Sequence, residues 1–361
     1  MAAQNMMGPF ETRRIGRTRI EVTSLGLGTA TLGRRDRGLD WITASQGPAI
    51  NRLPNAAEHV GVRVEEAEAL ICGAWEAGVR YVDTAPMYGF GKAERCVGDA
   101  MRCVPRDDWV LSTKVGRLLR PRLRPPQPGD PPMPFDVVFD YSYDAIMRSF
   151  EDSLQRLGLA RIDILFVHDI GARTHGAAAH PGLMRILRES GYRALEKLRE
   201  TGSVAAIGIG VNEREVLLEA LEWGAWDVFL LAGRYTLLEQ APVEDLLPKC
   251  LAAGTSIVIG GPLNSGILAG RDSWNYVPTP PEIVARVDAI RAVCESHGVP
   301  LVAAALQFPL AHPAVAAIIP GPRSVAEFAA NLELLRRPVP SALWPDLRRA
   351  GLLHPDAPVP A

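Results

Sequence analysis

The sequence has almost no net charge: 39 Lys and Arg against 41 Asp and Glu leave −2 at pH 7. Nucleic-acid-binding proteins carry a basic face, so no nucleic-acid partner is expected. No apolar run approaches the ~20 residues that span a bilayer, so no membrane partner is expected either. The opening MAAQNMMGPFETRR lacks the positive-then-apolar pattern of a secretion signal. Cysteines are few (Cys72, Cys96, Cys103, Cys250, Cys294), odd in number, and form no CxxC. Reduced thiols in the cytoplasm are the simplest expectation. A metal-ligand set is missing too. His175 and His180 stand five apart in a Gly/Ala loop with no ligand near, so no metal is expected. The chain also lacks G-x-G-x-x-G. Gly208 and Gly210 make only GxG inside an apolar run, which reads as close packing.

What is present is a globular composition, 47% hydrophobic and 22% charged, in 361 residues. The 33 glycines and 30 prolines punctuate periodic segments rather than filling a disordered one. RRIGRTRIEV (13–22) predicts a hairpin about Gly16 and Arg17. Eight apolar runs follow: 25–29, 81–85, 110–115, 162–168, 204–211, a run in DVFLLAG, 256–263 and 314–321. They lack alternation, as strands buried on both faces do. Each is followed by helix, or by loop and helix. VRVEEAEALICGAWEAG (62–78) repeats Ala67, Leu70, Ile71 and Ala74 at helical spacing and stops at Gly78. YDAIMRSFEDSLQRLG lines up Ile146, Phe150 and Leu154, with Ser142 as N-cap and Gly158 as stop. Eight βα units without a composition break predict one α/β domain over residues 1–361, a closed (β/α)8 barrel of the TIM type. A doubly wound open sheet is the alternative. Two insertions, 115–134 and 170–191, read as solvated surface loops. Arg117, Arg120, Arg122 and Arg124 are expected to keep the first one soluble.

Three consecutive strands end in ionisable residues: Asp83, Lys114 and His168. Neighbouring strands lie ~4.8 Å apart. Three adjacent ends therefore form a cluster on the face where barrel enzymes do chemistry. Tyr88 sits in the loop after Asp83. Singly, such residues are solvated strand ends or local hydrogen-bond partners; the joint placement points to a site. A tyrosine is a poor acid or base at neutral pH. A nearby ammonium favours its phenolate. Asp83 would hold the Lys114 ammonium, and His168 would bind a substrate oxygen. That set suits proton exchange at a carbonyl or alcohol while a hydride moves.

The ordered motifs GLGTATLG, AGVRYVDTAPMYG, LSTKVG, SLQRLGLARIDILFVHD, AIGIGVN, GGPLNSGILAG and IIPGPRSVAEFAANL resemble the aldo-keto reductase superfamily over roughly residues 13–335. VGRLLRP, DYSYDAIMRSFEDSLQRLG and GRYTLLEQ are most similar to its D-threo-aldose 1-dehydrogenase (L-fucose dehydrogenase) branch. The resemblance implies a barrel that binds an extended nicotinamide dinucleotide, with Asp83, Tyr88, Lys114 and His168 as the catalytic tetrad. Tyr88 would be general acid/base, Lys114 its modulator, Asp83 the partner of that lysine, and His168 the residue orienting the carbonyl. The implied reaction is NAD(P)-dependent oxidation of a cyclic aldose to a lactone. A pyridoxal 4-dehydrogenase-type activity and a general aldehyde reductase are alternatives within the family. A Schiff-base aldolase acting through Lys114 and a cofactor-binding regulatory subunit are alternatives of other classes.

Cofactor contacts implied by the resemblance fall on Asn212, on Pro262, Leu263, Asn264, Ser265 and Gly266, and on Gly321, Arg323, Ser324, Glu327 and Asn331. Glu327 near a ribose favours NAD over NADP; Ser324 to Glu327 also reads as a capping box. Departures stand at Gly210, Val211, Ala232 and Gly260, which replace residues that relatives use around the nicotinamide. Trp41, Tyr141, Arg234 and Trp274 are the candidates for lining the pocket of a small-molecule substrate.

Overall fold

The computed structural model describes residues 10–33, 62–125 and 134–360. In chain order it begins with the hairpin β1 (Thr12–Arg14) and β2 (Glu21–Thr23), then β3 (Leu27–Gly28), helix α1 (Val64–Glu76), β4 (Tyr81–Asp83), α2 (Lys92–Met101) and β5 (Val110–Val115). A second hairpin, β6 (Arg117–Pro121) and β7 (Phe135–Phe139), precedes α3 (Tyr143–Leu157), β8 (Ile164–His168), α4 (Tyr192–Glu200) and β9 (Ala206–Val211). The remainder holds α5 (Arg214–Leu221), β10 (Val228–Ala232), α6 (Leu246–Ala253), β11 (Ser256–Gly260), α7 (Pro281–Ser296), α8 (Leu301–Gln307), β12 (Val315–Ile319), α9 (Val325–Arg336) and α10 (Leu343–Arg349). The chain forms two compact units.

One unit comprises Leu27–Val211 with Gly321–Val325. Its strands β3, β4, β5, β8 and β9 pair in that order, all parallel. Every residue of β8 and β9 is buried, as their unbroken apolar sequences require. Helix α1 buries Ala67, Leu70, Ile71 and Ala74, the four residues its periodicity picks out. Helix α3 buries Ile146, Phe150, Ser153 and Leu157, with Leu154 at the edge of the stripe. It ends at Gly158, in the left-handed conformation (φ 62°). At its start the Ser142 side chain does not cap. Asp140 Oδ1 accepts the Ser142 N–H at 2.9 Å, and Ser190 Oγ accepts that of Tyr143 at 3.0 Å. Helices α2 and α3 touch at Gly98, where a Cβ would lie 1.8 Å from the Leu157 carbonyl oxygen.

The described residues of both insertions include secondary structure. Residues 117–121 and 135–139 pair as an antiparallel hairpin, Arg117 opposite Phe139. Arg117 is buried, and Arg122 Nε bonds Asp136 Oδ1 at 2.8 Å, so these two arginines are engaged within the protein rather than keeping a loop soluble. Arg124 is exposed, as a solubilising residue would be. Residues 170–191 contain short helices Ala172–His175 and His180–Ile186 and bury Ile170, Met184 and Leu187.

The other unit comprises residues up to Gly26, Asn212–Pro320 and Ala326 onward. Strands β10, β11 and β12 pair parallel, with a register shift between Ile257 and Val258. The β1–β2 hairpin closes against these strands. Arg13 Nη1 bonds the carbonyls of Leu310 (2.9 Å) and Val315 (2.7 Å), and the Gly16 N–H donates to Ser256 Oγ at 2.8 Å. No single helix among the described residues is long and apolar enough to cross a membrane.

Candidate active site

Asp83 ends β4 and Lys114 stands one residue before the end of β5. Both side chains are buried, 3% and 2% exposed. Lys114 Nζ donates to Asp83 Oδ2 at 2.7 Å and to the Thr84 carbonyl at 2.9 Å. Ser112 Oγ donates to Asp83 Oδ1 at 2.7 Å, and the Tyr81 hydroxyl lies 3.1 Å from Ser112. The Asp83 carboxylate is thus held by one ammonium and one hydroxyl. Burial pushes its pKa up, against the pull of Lys114 and Ser112.

Tyr88 lies in the loop after β4, half-buried. Lys114 Nζ sits 4.7 Å from the centroid of its ring. His168, the last residue of β8, meets the same ring edge-on, centroids 5.9 Å apart. The fold therefore gathers all four residues of the expected tetrad. His168 Nδ1 is buried with no hydrogen-bond partner among the described residues. Burial, then the charges of Arg117 and Lys114, hold His168 well below the usual histidine pKa, so the ring is neutral at pH 7.

Behind His168 stands a layer of which the sequence singles out only Tyr141, as a pocket candidate. Asp169, in the left-handed region at φ 45°, pairs with Arg117 of β6. Its Oδ2 also lies 3.5 Å from His168 Nε2. The Tyr141 hydroxyl donates to the His168 carbonyl at 3.0 Å and lies 2.8 Å from His175 Nε2. Tyr141 has no exposed surface, and burial raises its pKa. Met87 and Phe90, on either side of Tyr88, pack against Leu119, Phe135 and Val137 of the β6–β7 hairpin.

The other unit gathers two of the pocket candidates around a residue that the sequence does not single out, Glu239. Arg234 Nη1 reaches its carboxylate at 3.0 Å, Trp274 Nε1 at 3.0 Å and Asn264 Nδ2 at 3.0 Å. Arg234 further bonds the Asn212 carbonyl (2.8 Å) and Asn275 Oδ1 (2.7 Å). Trp41 lies outside the described residues.

The sequence profile of the Aldo/keto reductase family matches residues 51–350. The chain belongs to that family. It is 41% identical over 359 residues to a pyridoxal 4-dehydrogenase of Microbacterium luteolum, covering 95% of this chain and 98% of that one. It is 38% identical over 327 residues to a D-threo-aldose 1-dehydrogenase of a Pseudomonas species, covering 86% and 97%. Among solved structures, an aldo-keto reductase of Bacillus halodurans in its holo form superposes with a TM-score of 0.71 at 24% identity, over 96% of this chain and 97% of that one. That likeness shows the fold, a (β/α)8 barrel, so the open-sheet alternative falls away. As an aldo/keto reductase the protein is an oxidoreductase of the class that uses nicotinamide cofactors.

The residues expected to hold that cofactor fall in two places. In one unit, Pro262, Leu263, Asn264, Ser265 and Gly266 form the loop after β11. Asn264, Ser265 and Gly266 are in the left-handed region, at φ 47°, 59° and 105°. Asn264 Oδ1 is buried with no partner among the described residues, an acceptor fitted to a ligand donor such as a ribose hydroxyl. In the same unit Asn212 Nδ2 bonds the Ala232 carbonyl at 2.9 Å. Asn331 is buried on α9, and Glu327 Oε1 accepts from Arg271 at 2.8 Å. In the other unit Gly321 approaches the Gly28 carbonyl and Thr31, whose Oγ1 donates to the Pro322 carbonyl at 2.9 Å. Arg323 is half-buried and Ser324 exposed, just ahead of the α9 N-terminus, a favourable place for a phosphate.

Proposed function

We propose that this protein oxidises a cyclic hemiacetal, an aldose at its anomeric carbon, to the lactone, with NAD as the preferred hydride acceptor. The observation that carries the reading is the placement of Lys114. Its buried ammonium is fixed by Asp83 and lies against the ring of Tyr88. Tyr88 takes the anomeric hydroxyl proton as the C–H bond breaks and the carbonyl forms. The ammonium favours the phenolate through its charge. Asp83 keeps that charge in place. Neutral His168 bonds a substrate oxygen and orients it for proton transfer. When bound, the nicotinamide ring accepts the hydride. In reverse, the same groups return the lactone to the hemiacetal with Tyr88 as acid, and the same proton transfer would serve reduction of an aldehyde to an alcohol.

The 41% identity to a protein named pyridoxal 4-dehydrogenase favours pyridoxal as a second substrate reading. Pyridoxal closes to a cyclic hemiacetal through its neighbouring hydroxymethyl group, so the same proton and hydride transfers apply. The aldolase reading is disfavoured on chemical grounds. A Schiff base needs a neutral amine, whereas Lys114 is engaged as an ammonium by a buried carboxylate.

NAD is preferred because Glu327, on the first turn of α9, opposes a 2′-phosphate, and Arg271 holds it there. Pro262 to Gly266, Gly321, Arg323, Ser324 and Asn331 would hold the dinucleotide, and Asn212 the carboxamide. Arg234 and Trp274 would meet the sugar. The five free cysteines favour the cytoplasm, with the whole chain acting as one barrel domain.

The test is a panel of L-fucose, D-arabinose, L-galactose and pyridoxal, each with NAD and with NADP, read at 340 nm with lactone identified in the product. Turnover of one or more with lactone formation supports the reading. Coenzyme binding without turnover on the whole panel counts against it.

A further inference from the structure

The β6–β7 hairpin interrupts the barrel pattern directly after the strand carrying Lys114, and it touches chain neighbours of both rings near that lysine, Tyr88 and His168. On one side Leu119, Phe135 and Val137 pack on Met87 and Phe90, which bracket Tyr88. On the other, Arg117 reaches Asp169, the residue following His168. Asp169 has two neighbours for its Oδ2: the Arg117 guanidinium and, at 3.5 Å, His168 Nε2. Arg117 is itself anchored, buried at the base of the hairpin, with the ring of Phe139 on the partner strand 5.4 Å from its guanidinium carbon.

We propose that Arg117 is a positioning residue of the active site: by engaging Asp169 it keeps that carboxylate from capturing the His168 imidazole, and so leaves the ring disposed toward Tyr88 and substrate. This rests on the reading of His168 given above. Substrate orientation needs an imidazole whose proton and ring plane are not committed to a neighbouring carboxylate. A carboxylate facing a histidine in a buried site stabilises the imidazolium and binds it. The ionisable groups that face His168 are Tyr88 from the loop after β4, Lys114 from β5, Arg117 from β6 and Asp169 on its own segment. His175 also borders Asp169, hydrogen-bonding its backbone and sensing both its charge and that of Arg117, and it meets the Tyr141 hydroxyl besides. With Arg117 present, the positive groups outweigh Asp169. Without it, His168 Nε2, 3.5 Å away, is left as the neighbour of the partly buried Asp169 Oδ2.

The test uses Arg117→Met, Asp169→Asn and the double variant, with His168 followed by NMR of ¹³C-labelled histidines and activity followed across pH. His168→Gln assigns the signal. In Arg117→Met the His168 titration moves up into the accessible range. kcat/KM then falls on the acid side, by about tenfold for each unit by which the assay pH lies below the new midpoint. Asp169→Asn shows no such acid limb, and the double variant loses it again. An unchanged His168 titration and pH profile in Arg117→Met, with only the Tm lowered, makes Arg117 merely structural and overturns the proposal. An acid limb of equal size in Asp169→Asn overturns it as well. Should Arg117→Met fail to fold, the double variant decides: it strands no buried charge, and a profile of wild-type shape supports the proposal while a new acid limb contradicts it. The NMR titration needs no substrate. A failure of the sugar reading on the panel is therefore distinguishable from a failure of this one.

Discussion

Lys114 Nζ lies 2.7 Å from Asp83 Oδ2, and neither side chain has appreciable contact with solvent. Burying two charges is unfavourable unless each finds the other and further hydrogen bonds. Here Thr84 and Ser112 supply those bonds. On the proposed chemistry the pair serves to place a cation rather than to stabilise the fold, and the two roles separate by mutation.

Lys114→Met leaves the Asp83 carboxylate buried without its cation. Thermal or denaturant unfolding should show a loss of about 3–5 kcal/mol, the range for stranding one partner of a buried pair. The double variant Asp83→Asn, Lys114→Met recovers most of that stability yet stays inactive. A double variant that regains turnover would deny Lys114 its part in the chemistry.

The histidines make the fold acid-sensitive. His168 is held well below its usual pKa by burial, Arg117 and Lys114, His175 is lowered by burial and Arg117, and burial brings His312 to about 4. A histidine kept neutral in the fold is protonated first in the unfolded chain. The unfolded state then binds more protons, and stability rises with pH. The contribution is full above the unfolded value of ~6.5 and is lost as pH falls toward the folded value. For His312 that window runs from the unfolded value down to about 4. Urea titrations at several pH values should show this slope, and His312→Gln should flatten it.

The strand ends are legible in the sequence because a parallel barrel strand is an unbroken apolar run, and an ionisable residue at its end stands out against that run. Asp83 and His168 end their strands as that logic puts them, and Lys114 falls one residue short of the end of its own. Arg117 is not legible: it sits among four arginines of a Pro-rich segment, and its partner Asp169 is 52 positions away. Glu239 shows the same limit. It is one acid in a loop until Asn264, 25 positions on, and Trp274, 35 on, converge upon it. Periodicity and strand-end chemistry are local signals. Convergence of loop side chains is tertiary, and leaves no spacing to read.

Glu239→Ala removes the acceptor shared by Arg234, Asn264 and Trp274. Hydrogen bonds to charged groups contribute ~1.5–3 kcal/mol. A rise of about 10- to 100-fold in KM for sugar or coenzyme is expected, with kcat less affected. A change confined to kcat would place Glu239 in the chemical step instead.

Coenzyme choice is expected to rest on Glu327. Glu327→Ala removes the negative charge opposing a 2′-phosphate and takes from Arg271 its partner at 2.8 Å. The ratio of kcat/KM for NAD over that for NADP should fall by about tenfold or more, of the order of one lost charge interaction. An unchanged ratio would mean that Glu327 lies away from the ribose.

The most direct test of the whole account is the kcat of Tyr88→Phe at neutral pH with the best sugar of the panel. Removing a general acid/base that works at the reacting oxygen should lower kcat by about 10²–10⁴ while coenzyme binding, read by fluorescence quenching, stays intact. Turnover within a few-fold of wild type would show that the phenol beside Lys114 does not carry the proton, and the proposed chemistry would fail with it.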